Sequence, residues 1–529
     1  MKFNVLPKNS KVLVIGGGIS GLSYSYYLAK LRPDVGITLL EASKRCGGYI
    51  NSSVYKNNSR QNIVLEKGPR TLRGVSDGTL LIVDTLRQLG NQDIVQYIDK
   101  ESDANKKYLL AANNQLLQVP NSLSTFFKFL KNPLSKGFLT GILGEYLRPS
   151  RKDISDESAF EFFSRRFGNK HVPGNILSAI YHGIYADDIK KLSAQRVARV
   201  MYDMEREHGS LIKAVFRKNK TEGLHPDLVN YMKAFNLDEN DLMALSKKLK
   251  KVPIIGLKGG LQLFPSILRN ALQQLPNVQI HINKRVSRLL YSEGKFEYTT
   301  VDGIKESDFD FTRFNINPSE MSEIVADPSI SKGLELVKSN TIILVNIYIP
   351  NKDIIKPYHG FGYLVPLTTP NPDMLLGVIF DSVIEHNFKP LFSIGNAPDN
   401  NNIISNTKLT AMVGGHHLSD SDLPGMSNST FITNKLKQLL SSHLNVHEST
   451  FNDAYWEVTV VDNCLPKFHV GYNTWLNNTS SSIKQLYEDR VSLGGMAFSA
   501  GPGVPDVVMN AFTEALHISK QSTQLKIES

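Results

Sequence analysis

The sequence predicts an α/β protein of several domains, and three observations support this fold class. The 529 residues exceed the size of one domain, and 41% of them are hydrophobic, which is enough for several buried cores. An apolar segment from Val12 to Ile15 leads through a glycine-rich turn into residues 22–31, whose apolar positions recur at helical spacing. A second apolar segment, residues 36–41, follows. Such alternation of strand and helix is typical of sheets with parallel strands.

The turn after the first strand has glycines at three fixed positions, Gly16, Gly18 and Gly21. This G-x-G-x-x-G spacing between a strand and a helix indicates a Rossmann-like domain. The glycines permit the turn, the approach of a pyrophosphate and the close packing of helix on strand. Glu41 follows Gly21 by 20 residues, where an acidic residue binds an adenosine ribose. The pattern therefore predicts a dinucleotide site, the alternative being a glycine-rich turn in another α/β protein.

Two segments after Glu41 indicate which dinucleotide binds. Residues 42–52 contain a basic residue followed by a glycine pair, and residues 65–73 read LEKGPRTLR. Both are similar to motifs of the superfamily of FAD-dependent amine oxidases and desaturases, so the resemblance implies FAD. The sequence contains no second G-x-G-x-x-G, and no nicotinamide dinucleotide is expected beside the flavin. Electrons then leave to oxygen, a quinone or another protein.

Composition and periodicity divide the chain into five segments. Helical spacing prevails over 91–245, strand patterns prevail over 301–480, and the pattern of strand, small residues and helix returns near the end. We therefore expect a Rossmann-like FAD-binding domain built from discontinuous segments, with a mixed-sheet substrate domain and a mostly helical insertion. The FAD-binding segments are 1–90, 246–300 and 481–529, the insertion is 91–245, and the substrate domain is 301–480.

Residues 121–149 alternate phenylalanine and leucine with lysine at roughly helical spacing, with an interruption at Pro133. Such a segment either lies in a membrane interface or packs its apolar face on a core while its lysines are solvated. The residues alone leave both interpretations open. No apolar stretch of ~18 or more residues occurs, so no spanning helix is expected.

Charge and composition exclude several functional classes. The net charge of +10 favours anionic partners, but no basic cluster has the interleaved aromatics of nucleic-acid binders, so no nucleic acid is expected. Two cysteines, Cys46 and Cys464, are too few for a disulfide framework or a Cys-rich zinc site. His416 and His417 are interpreted as strand neighbours that point to opposite faces, so no metal site is expected.

Motifs in the rest of the chain closely resemble the protoporphyrinogen oxidase family of haem biosynthesis, in its fungal mitochondrial type. The resemblance extends from residue 11 to about residue 516. It implies an FAD enzyme, bound peripherally to the mitochondrial inner membrane by the helical insertion. The implied reaction is the oxygen-dependent, six-electron oxidation of protoporphyrinogen IX with release of hydrogen peroxide. The motifs are residues 181–188, 256–265, 360–366 (GFGYLVP), 376–382, 412–415, 464–472 and 503–508.

The resemblance also assigns site residues, and no catalytic side chain is expected because the flavin performs the chemistry. Lys107 is expected to pair a propionate, and Leu364, Leu376 and Phe380 to contact the macrocycle, although the last three fit a sheet core equally well. Arg70 is interpreted either as a cation near the flavin or as half of a structural ion pair. The implied flavin contacts are Gly16, Gly17, Gly18, Ile19, Ser20, Gly21, Glu41, Ala42, Tyr49, Gly68, Pro69, Arg70, Thr71, Val286, Met496, Pro502, Gly503 and Val504.

The expected partners are protoporphyrinogen IX, molecular oxygen and a membrane surface, with ferrochelatase and a second copy of the chain as candidate protein partners. Two other functions stay open at this stage. One is another amine-oxidase-like FAD oxidoreductase, such as a desaturase or a polyamine oxidase. The other is a non-catalytic protein that binds flavin or porphyrin, against which the motifs on both sides of the flavin argue.

Overall fold

The structure is a computed structural model that describes residues 6–57, 60–151, 153, 155–217, 223–351, 354–392, 406–419 and 421–519. Its strands are β1 (Lys11–Ile15), β2 (Gly36–Leu40), β3 (Ser52–Lys56), β4 (Asn62–Glu66), β5 (Leu72–Arg73), β6 (Val95–Ile98), β7 (Lys107–Leu110), β8 (Leu116–Gln118), β9 (Ile254–Leu257), β10 (Val278–His281), β11 (Val286–Ser292), β12 (Lys295–Thr300), β13 (Lys305–Phe309), β14 (Phe311–Phe314), β15 (Ser339–Ile349), β16 (Gly362–Leu364), β17 (Leu375–Ile379), β18 (Lys389–Pro390), β19 (Thr407–Gly414), β20 (Tyr455–Pro466) and β21 (Val491–Leu493).

The α-helices are α1 (Ile19–Leu31), α2 (Asp77–Gln88), α3 (Leu123–Leu130), α4 (Phe138–Glu145), α5 (Ala159–Phe167), α6 (Ser178–Tyr185), α7 (Ala194–Val197), α8 (Arg199–His208), α9 (Leu211–Arg217), α10 (Pro226–Ala234), α11 (Glu239–Leu249), α12 (Leu263–Gln273), α13 (Pro318–Ile324), α14 (Pro328–Glu335), α15 (Asp381–His386), α16 (Leu423–Met426), α17 (Ser429–Leu444), α18 (Tyr472–Leu486) and α19 (Val504–Ser519).

A five-stranded parallel sheet, in the order β10-β2-β1-β14-β21, forms the Rossmann-like domain. Its strands are buried on both faces, which explains their continuous apolar sequences, and α1 packs beside α19. The predicted assembly of this domain from discontinuous segments is confirmed. The predicted boundary at residue 300 differs from the structure, because β14 pairs with β1 and belongs to this sheet.

A seven-stranded mixed sheet, in the order β20-β15-β19-β17-β16-β7-β8, forms the second domain. Its strands are antiparallel except for the parallel pair of β7 and β16. One face contributes Val345, Tyr363 and Val378 to a core that includes Leu436 and Leu440 of α17. The predicted mixed sheet is therefore present. Because β7 and β8 extend it, the start of the helical insertion at residue 91 also differs from the structure.

The helical insertion in the structure consists of α3 to α9, between residues 123 and 217. A fully buried guanidinium, that of Arg166, joins three of its helices, since Nε donates to Glu145 Oε1 at 2.9 Å and Nη1 donates to Glu205 Oε1 at 3.2 Å. Helices α10 and α11 instead pack Leu228 and Leu242 into the core of the Rossmann-like domain. Among the described residues, no helix combines the length and the apolar character that crossing a bilayer requires.

Candidate active site

The glycine turn is built for the close approach of another backbone. Gly16 has φ of +101°, and a Cβ on Gly21 would lie 2.0 Å from the carbonyl oxygen of Gly16, so only glycine allows this contact between helix and strand. Gly18 begins α1 and provides no side-chain cap, so no N-cap side chain occupies the N-terminal amides of the helix among the described residues. These amides and the positive end of the helix dipole form a site for an anion such as pyrophosphate.

Glu41 is positioned beside this turn, at the end of β2. Its Oε2 accepts from the Gly17 amide at 2.8 Å, and its Oε1 accepts from the Ser43 amide at 2.8 Å. The exposed Ala42 lies between these contacts. Lys284 donates its amide to the Glu41 carbonyl at 2.8 Å, which holds the start of β11, and with it Val286, next to the predicted ribose site.

The glycine pair after Glu41 packs directly on the glycine turn. Gly47 donates its amide to the Gly17 carbonyl at 2.9 Å, and a Cβ on Gly48 would lie 3.1 Å from the Cα of Gly18. The basic residue of this motif, Arg45, donates from Nη2 to the Gly48 carbonyl at 2.5 Å. The motif thus forms a narrow backbone cradle that a side chain would fill, as expected for a bound dinucleotide.

The third Rossmann segment reaches the same turn through Ser20. Its hydroxyl donates to Asn315 Oδ1 at 2.7 Å and accepts from the Gly495 amide at 3.0 Å, so the half-buried Met496 lies next to the glycine turn. Ile19 packs into the core beneath. Of the predicted residues, Pro502 and Gly503 directly precede α19 and Val504 is its first residue, and this helix packs along α1.

The carboxylate of Asp506 lies in the first turn of α19, beside the implied flavin contact Gly503. Burial raises the pKa of this carboxylate, and the Gly503 amide opposes that shift. The adjacent Gly501 has no room for a Cβ, which would lie 2.6 Å from Asp506 Oδ2.

Tyr49 and the segment from Gly68 to Thr71 lie against each other. A Cβ on Gly68 would lie 1.9 Å from the Tyr49 carbonyl oxygen, so the two backbones are in contact. The Tyr49 hydroxyl donates to the Asn463 carbonyl at 2.9 Å and accepts from Asn317 Nδ2 at 2.8 Å. These bonds fix the ring at the junction of the two domains, where the sequence predicts the isoalloxazine.

Arg70 forms a buried ion pair with Asp381 of α15. Its Nη1 lies 2.5 Å from Asp381 Oδ1, and both side chains are less than a tenth exposed. Thr410 of β19 donates to the other carboxylate oxygen at 2.7 Å. Of the two interpretations of Arg70, the structure favours the structural ion pair, which joins the flavin segment to the seven-stranded sheet.

The register of the seven-stranded sheet decides which side chains share its second face. Successive residues of a strand point to opposite faces, and paired residues point to the same face. Lys107 and Leu364 therefore lie on one face, since Lys107 pairs with Gly362 and Leu364 with Leu109. The same reasoning adds three apolar side chains: Ile379, Met412 and Leu344.

This face, which we call the open face, is directed at the flavin segment. Asn346 of β15 lies on it by register and donates from Nδ2 to the Glu66 carbonyl at 3.2 Å. Glu66 itself is buried and accepts from Ser52 Oγ at 2.6 Å and from the Leu261 amide at 2.7 Å. The open face of the sheet and the cofactor loops thus enclose the domain junction.

Two of the predicted macrocycle contacts lie elsewhere. Phe380 is fully buried on the opposite face, with its ring centroid 6.1 Å from that of Tyr363, so the structure does not bring it to Leu364. Ile379, the preceding residue, occupies the open face instead. Leu376 sits in a β-bulge, 1% exposed, and its carbonyl accepts a hydrogen bond from His182.

A family model of flavin-containing amine oxidoreductases matches residues 19–342. The protoporphyrinogen oxidase of Saccharomyces cerevisiae is 45% identical over 97% of this chain and 99% of its own. The chain belongs to the protoporphyrinogen oxidase family. The Schizosaccharomyces pombe relative of the same name is 27% identical over 95% of this chain and 97% of its own. A solved structure of an Exiguobacterium sp. protein, 19% identical, matches with a TM-score of 0.70 and covers 97% of this chain and 99% of that chain.

FAD is the cofactor of this family member. The glycine cradle, the uncapped start of α1 and the carboxylate of Glu41 fit a dinucleotide, and the domain junction beyond Tyr49 fits its ring system. Arg45 and Glu66 lie in the two predicted motifs, but the sequence assigns neither of them a role in bracing the cradle. Arg45 lies in a loop and Glu66 ends β4, and their roles depend on partners in the folded chain that no local pattern shows.

Two cationic side chains, Lys107 and Arg73, lie near the domain junction in this member of the protoporphyrinogen oxidase family. The Lys107 residue is exposed as a whole, but its ammonium group is partly buried. This burial lowers the pKa of Lys107, and the charge of Arg73 lowers it further. Arg73 is exposed at the end of β5 and also acts on the carboxylate of Asp506. The structure therefore adds Arg73 as a second cation near the predicted propionate residue.

The interpretation of His416 and His417 as strand neighbours is wrong. They lie on a 3-10 turn, Gly415–His417, which follows β19. Their ring centroids are 3.9 Å apart, so the two side chains do not point to opposite faces. Gly414 and Gly415, with φ of +99° and +60°, turn the chain out of the sheet just before them.

Proposed function

We propose that this protein oxidises protoporphyrinogen IX to protoporphyrin IX in haem biosynthesis, with molecular oxygen as the electron acceptor and hydrogen peroxide as the second product. The observation that carries this proposal is the 45% identity to the yeast protoporphyrinogen oxidase over almost the full length of both chains. When bound, FAD supplies the hydride-accepting chemistry. The residues of this chain then hold the substrate against it.

The open face offers a flat apolar wall to the macrocycle. Leu344, Leu364, Ile379 and Met412 come from adjacent strands, and Leu364 also packs over Gly183 of α6, where a Cβ would lie 2.7 Å from Leu364 Cδ2. Such a surface buries a large apolar ring and excludes water from its edge. Such a wall favours the binding of a flat, hydrophobic substrate.

Lys107 and Arg73 are the proposed partners of the two propionates. Both are exposed cations at the domain junction, close enough for the charge of one to act on the other. A carboxylate bound between them would relieve that repulsion, which favours a dianionic substrate. We propose that Lys107 lies at the end of the wall that binds the propionate edge.

A membrane surface is the proposed location, and an apolar patch on the helical insertion supports it. The patch consists of Leu143, Leu147, Val215 and Phe216, which are 74%, 81%, 65% and 85% exposed. Helices α4 and α9 line a shared apolar groove of about 460 Å³ beneath it. Exposed apolar patches of this kind mark interaction surfaces.

The residues around this apolar patch suit a phospholipid headgroup region. Lys128 in the last turn of α3 is exposed, as are Lys131 and Lys136 after it, and Lys213 lies 4.6 Å from the ring centroid of Tyr146. Apolar side chains that insert, together with cations that meet anionic headgroups, are typical of peripheral binding. This arrangement favours the interfacial interpretation of residues 121–149. We propose the mitochondrial inner membrane from the family resemblance, with ferrochelatase and a second copy of the chain as partners to be tested.

The function is tested with the purified protein carrying its flavin. Protoporphyrinogen IX is added in air, and porphyrin fluorescence, oxygen uptake and hydrogen peroxide are followed together. We expect porphyrin to appear with matching oxygen uptake and peroxide release, and we expect no turnover of putrescine. A flavin-loaded protein that leaves protoporphyrinogen unchanged would refute the proposal.

A further inference from the structure

Three histidines from two elements converge beside the substrate sheet, outside the cofactor site. His182 lies on α6 of the helical insertion, and His416 and His417 lie on the 3-10 turn after β19. One ring nitrogen of each lies within 4.8 Å of the corresponding nitrogens of the other two. The ring centroid of His182 is 5.9 Å from that of His416 and 6.3 Å from that of His417.

The hydrogen bonds of two of the three histidines leave a ring lone pair without a donor in the described part of the chain. His182 Nε2 lies 2.9 Å from the Leu376 carbonyl, which can only accept, so this nitrogen carries the proton and Nδ1 is the free lone pair. His416 Nδ1 is buried and has no hydrogen-bond partner in the described part of the chain. His417 Nε2 has one long polar contact, 3.4 Å to Asn371 Nδ2, and that amide also donates to the Leu375 carbonyl.

Burial disfavours the charged form of all three imidazoles. Burial lowers the pKa of His182 to about 3 and that of His417 to about 4, and it lowers the pKa of His416 as well. His416 and His417 also disfavour the charge of His182, and His416 disfavours that of His417.

The surrounding charge also suits a cation. The carboxylates of Asp187 and Asp188 act on His416 from the loop after α6, opposed by the ammonium group of Lys191. Asp188 has the larger effect of the two, and Asp187 also contacts His469, whose Nε2 lies 3.0 Å from its Oδ2. A carbonyl that accepts from the other ring nitrogen, as that of Leu376 does from His182, commonly orients a histidine ligand.

We propose that His182, His416 and His417 bind one divalent transition-metal ion of the zinc class. Three nitrogens at about 2.0–2.1 Å from a tetrahedral ion lie roughly 3.4 Å apart, so small rotations of the side chains close the observed spacing. Imidazole donors select Zn²⁺, Co²⁺ or Cu²⁺ over Mg²⁺ or Ca²⁺. A water molecule fills the fourth position.

The ion would connect the helical insertion to the substrate domain. His182 belongs to α6, which packs beneath Leu364 through Gly183, and the other two ligands follow β19 of the seven-stranded sheet. An ion held by both elements fixes α6 against Leu364, one side chain of the wall of the proposed substrate site. Its role is therefore to stabilise the position of α6, and it does not depend on the identity of the substrate.

The test uses tag-free protein with its flavin bound, treated with EDTA, dialysed and titrated with cobalt chloride and with zinc chloride. We expect one ion per chain, with the visible absorption of tetrahedral Co²⁺ at wavelengths beyond the flavin band. His416→Gln and His417→Gln each weaken Co²⁺ binding at least tenfold. The matched control is His447→Gln, because His447 is exposed and only caps its own 3-10 turn through Ser449.

Flavin content and melting temperature separate metal loss from misfolding. We expect Zn²⁺ to raise the melting temperature of the wild type and of the His447 variant, and to leave that of the His417 variant unchanged at full flavin content. Two results would overturn the proposal. One is a wild-type protein, with its flavin bound, that takes up no Co²⁺ or Zn²⁺. The other is equal metal uptake by the wild type and by both cluster variants.

Discussion

Replacing Asp381 with alanine should destabilise the junction between the flavin segment and the seven-stranded sheet. Arg70 Nη1 and Asp381 Oδ1 are 2.5 Å apart, with side chains only 8% and 7% exposed. Removing one partner leaves a buried charge without its counter-ion, which costs about 3–5 kcal/mol. Thr410 loses its acceptor as well. We therefore expect Asp381→Ala to lower the free energy of unfolding by at least about 3 kcal/mol.

Urea unfolding, followed by far-ultraviolet circular dichroism, measures this loss for the wild type, Asp381→Ala, Asp381→Leu, Arg70→Met and a double variant, Arg70→Met with Asp381→Leu. The double variant should recover most of the stability, because it buries no charge. The free energy of coupling between Arg70→Met and Asp381→Leu then isolates the ion pair. A single variant that loses less than about 1 kcal/mol, or a double variant that loses the sum of the Arg70→Met and Asp381→Leu effects, would show that the ion pair does not stabilise this junction.

Three further predictions concern the cofactor, the substrate and the membrane. Gly21→Ala should abolish flavin binding, measured by absorbance, because its Cβ would lie 2.0 Å from the Gly16 carbonyl oxygen. Gly333→Ala, in a roomy part of α14, should keep the flavin. Lys107→Ala should raise the KM for protoporphyrinogen about tenfold, since a hydrogen bond to a charged group contributes about 1.5–3 kcal/mol. Phe216→Asp should lower binding to cardiolipin-containing vesicles about tenfold in sedimentation assays, because it removes about 1.5–3 kcal/mol of apolar burial.

Matched surface variants check these last two effects. Lys295→Ala removes a cation that pairs with acidic side chains far from the sheet face, so the KM should not change. Phe431→Asp alters an aromatic residue of α17 that is 47% exposed and lies outside the apolar patch, so binding to the vesicles should match that of the wild type. A control that behaves like its test variant would contradict the assigned role.

The cofactor cradle was predictable because its information is local. Gly16, Gly18, Gly21 and Glu41 follow a spacing set by one turn, one helix and one strand, and the structure brings them together as expected. The domain boundaries were less predictable. Strand β14 joins β1 across some 300 residues of sequence, and such long-range pairing leaves no local pattern.

The substrate face and the histidine cluster show where sequence patterns fail. The segment from Leu375 to Phe380 is apolar throughout, so no alternation marks which side chains face the core, and a bulge shifts the frame. The sequence therefore predicts Phe380 as a macrocycle contact, whereas the preceding residue, Ile379, lies on the open face. His416 and His417 follow directly on a strand pattern, and only the positive φ angles of two glycines show that the strand has ended.

The proposed function requires that FAD binds at the domain junction and that protoporphyrinogen reduces it there. Anaerobic addition of protoporphyrinogen IX to the purified, oxidised protein tests this requirement in a single turnover. We expect the yellow flavin absorption to disappear as porphyrin forms, and to return when air is admitted. A fully flavin-loaded protein whose absorption stays unchanged would rule out this function.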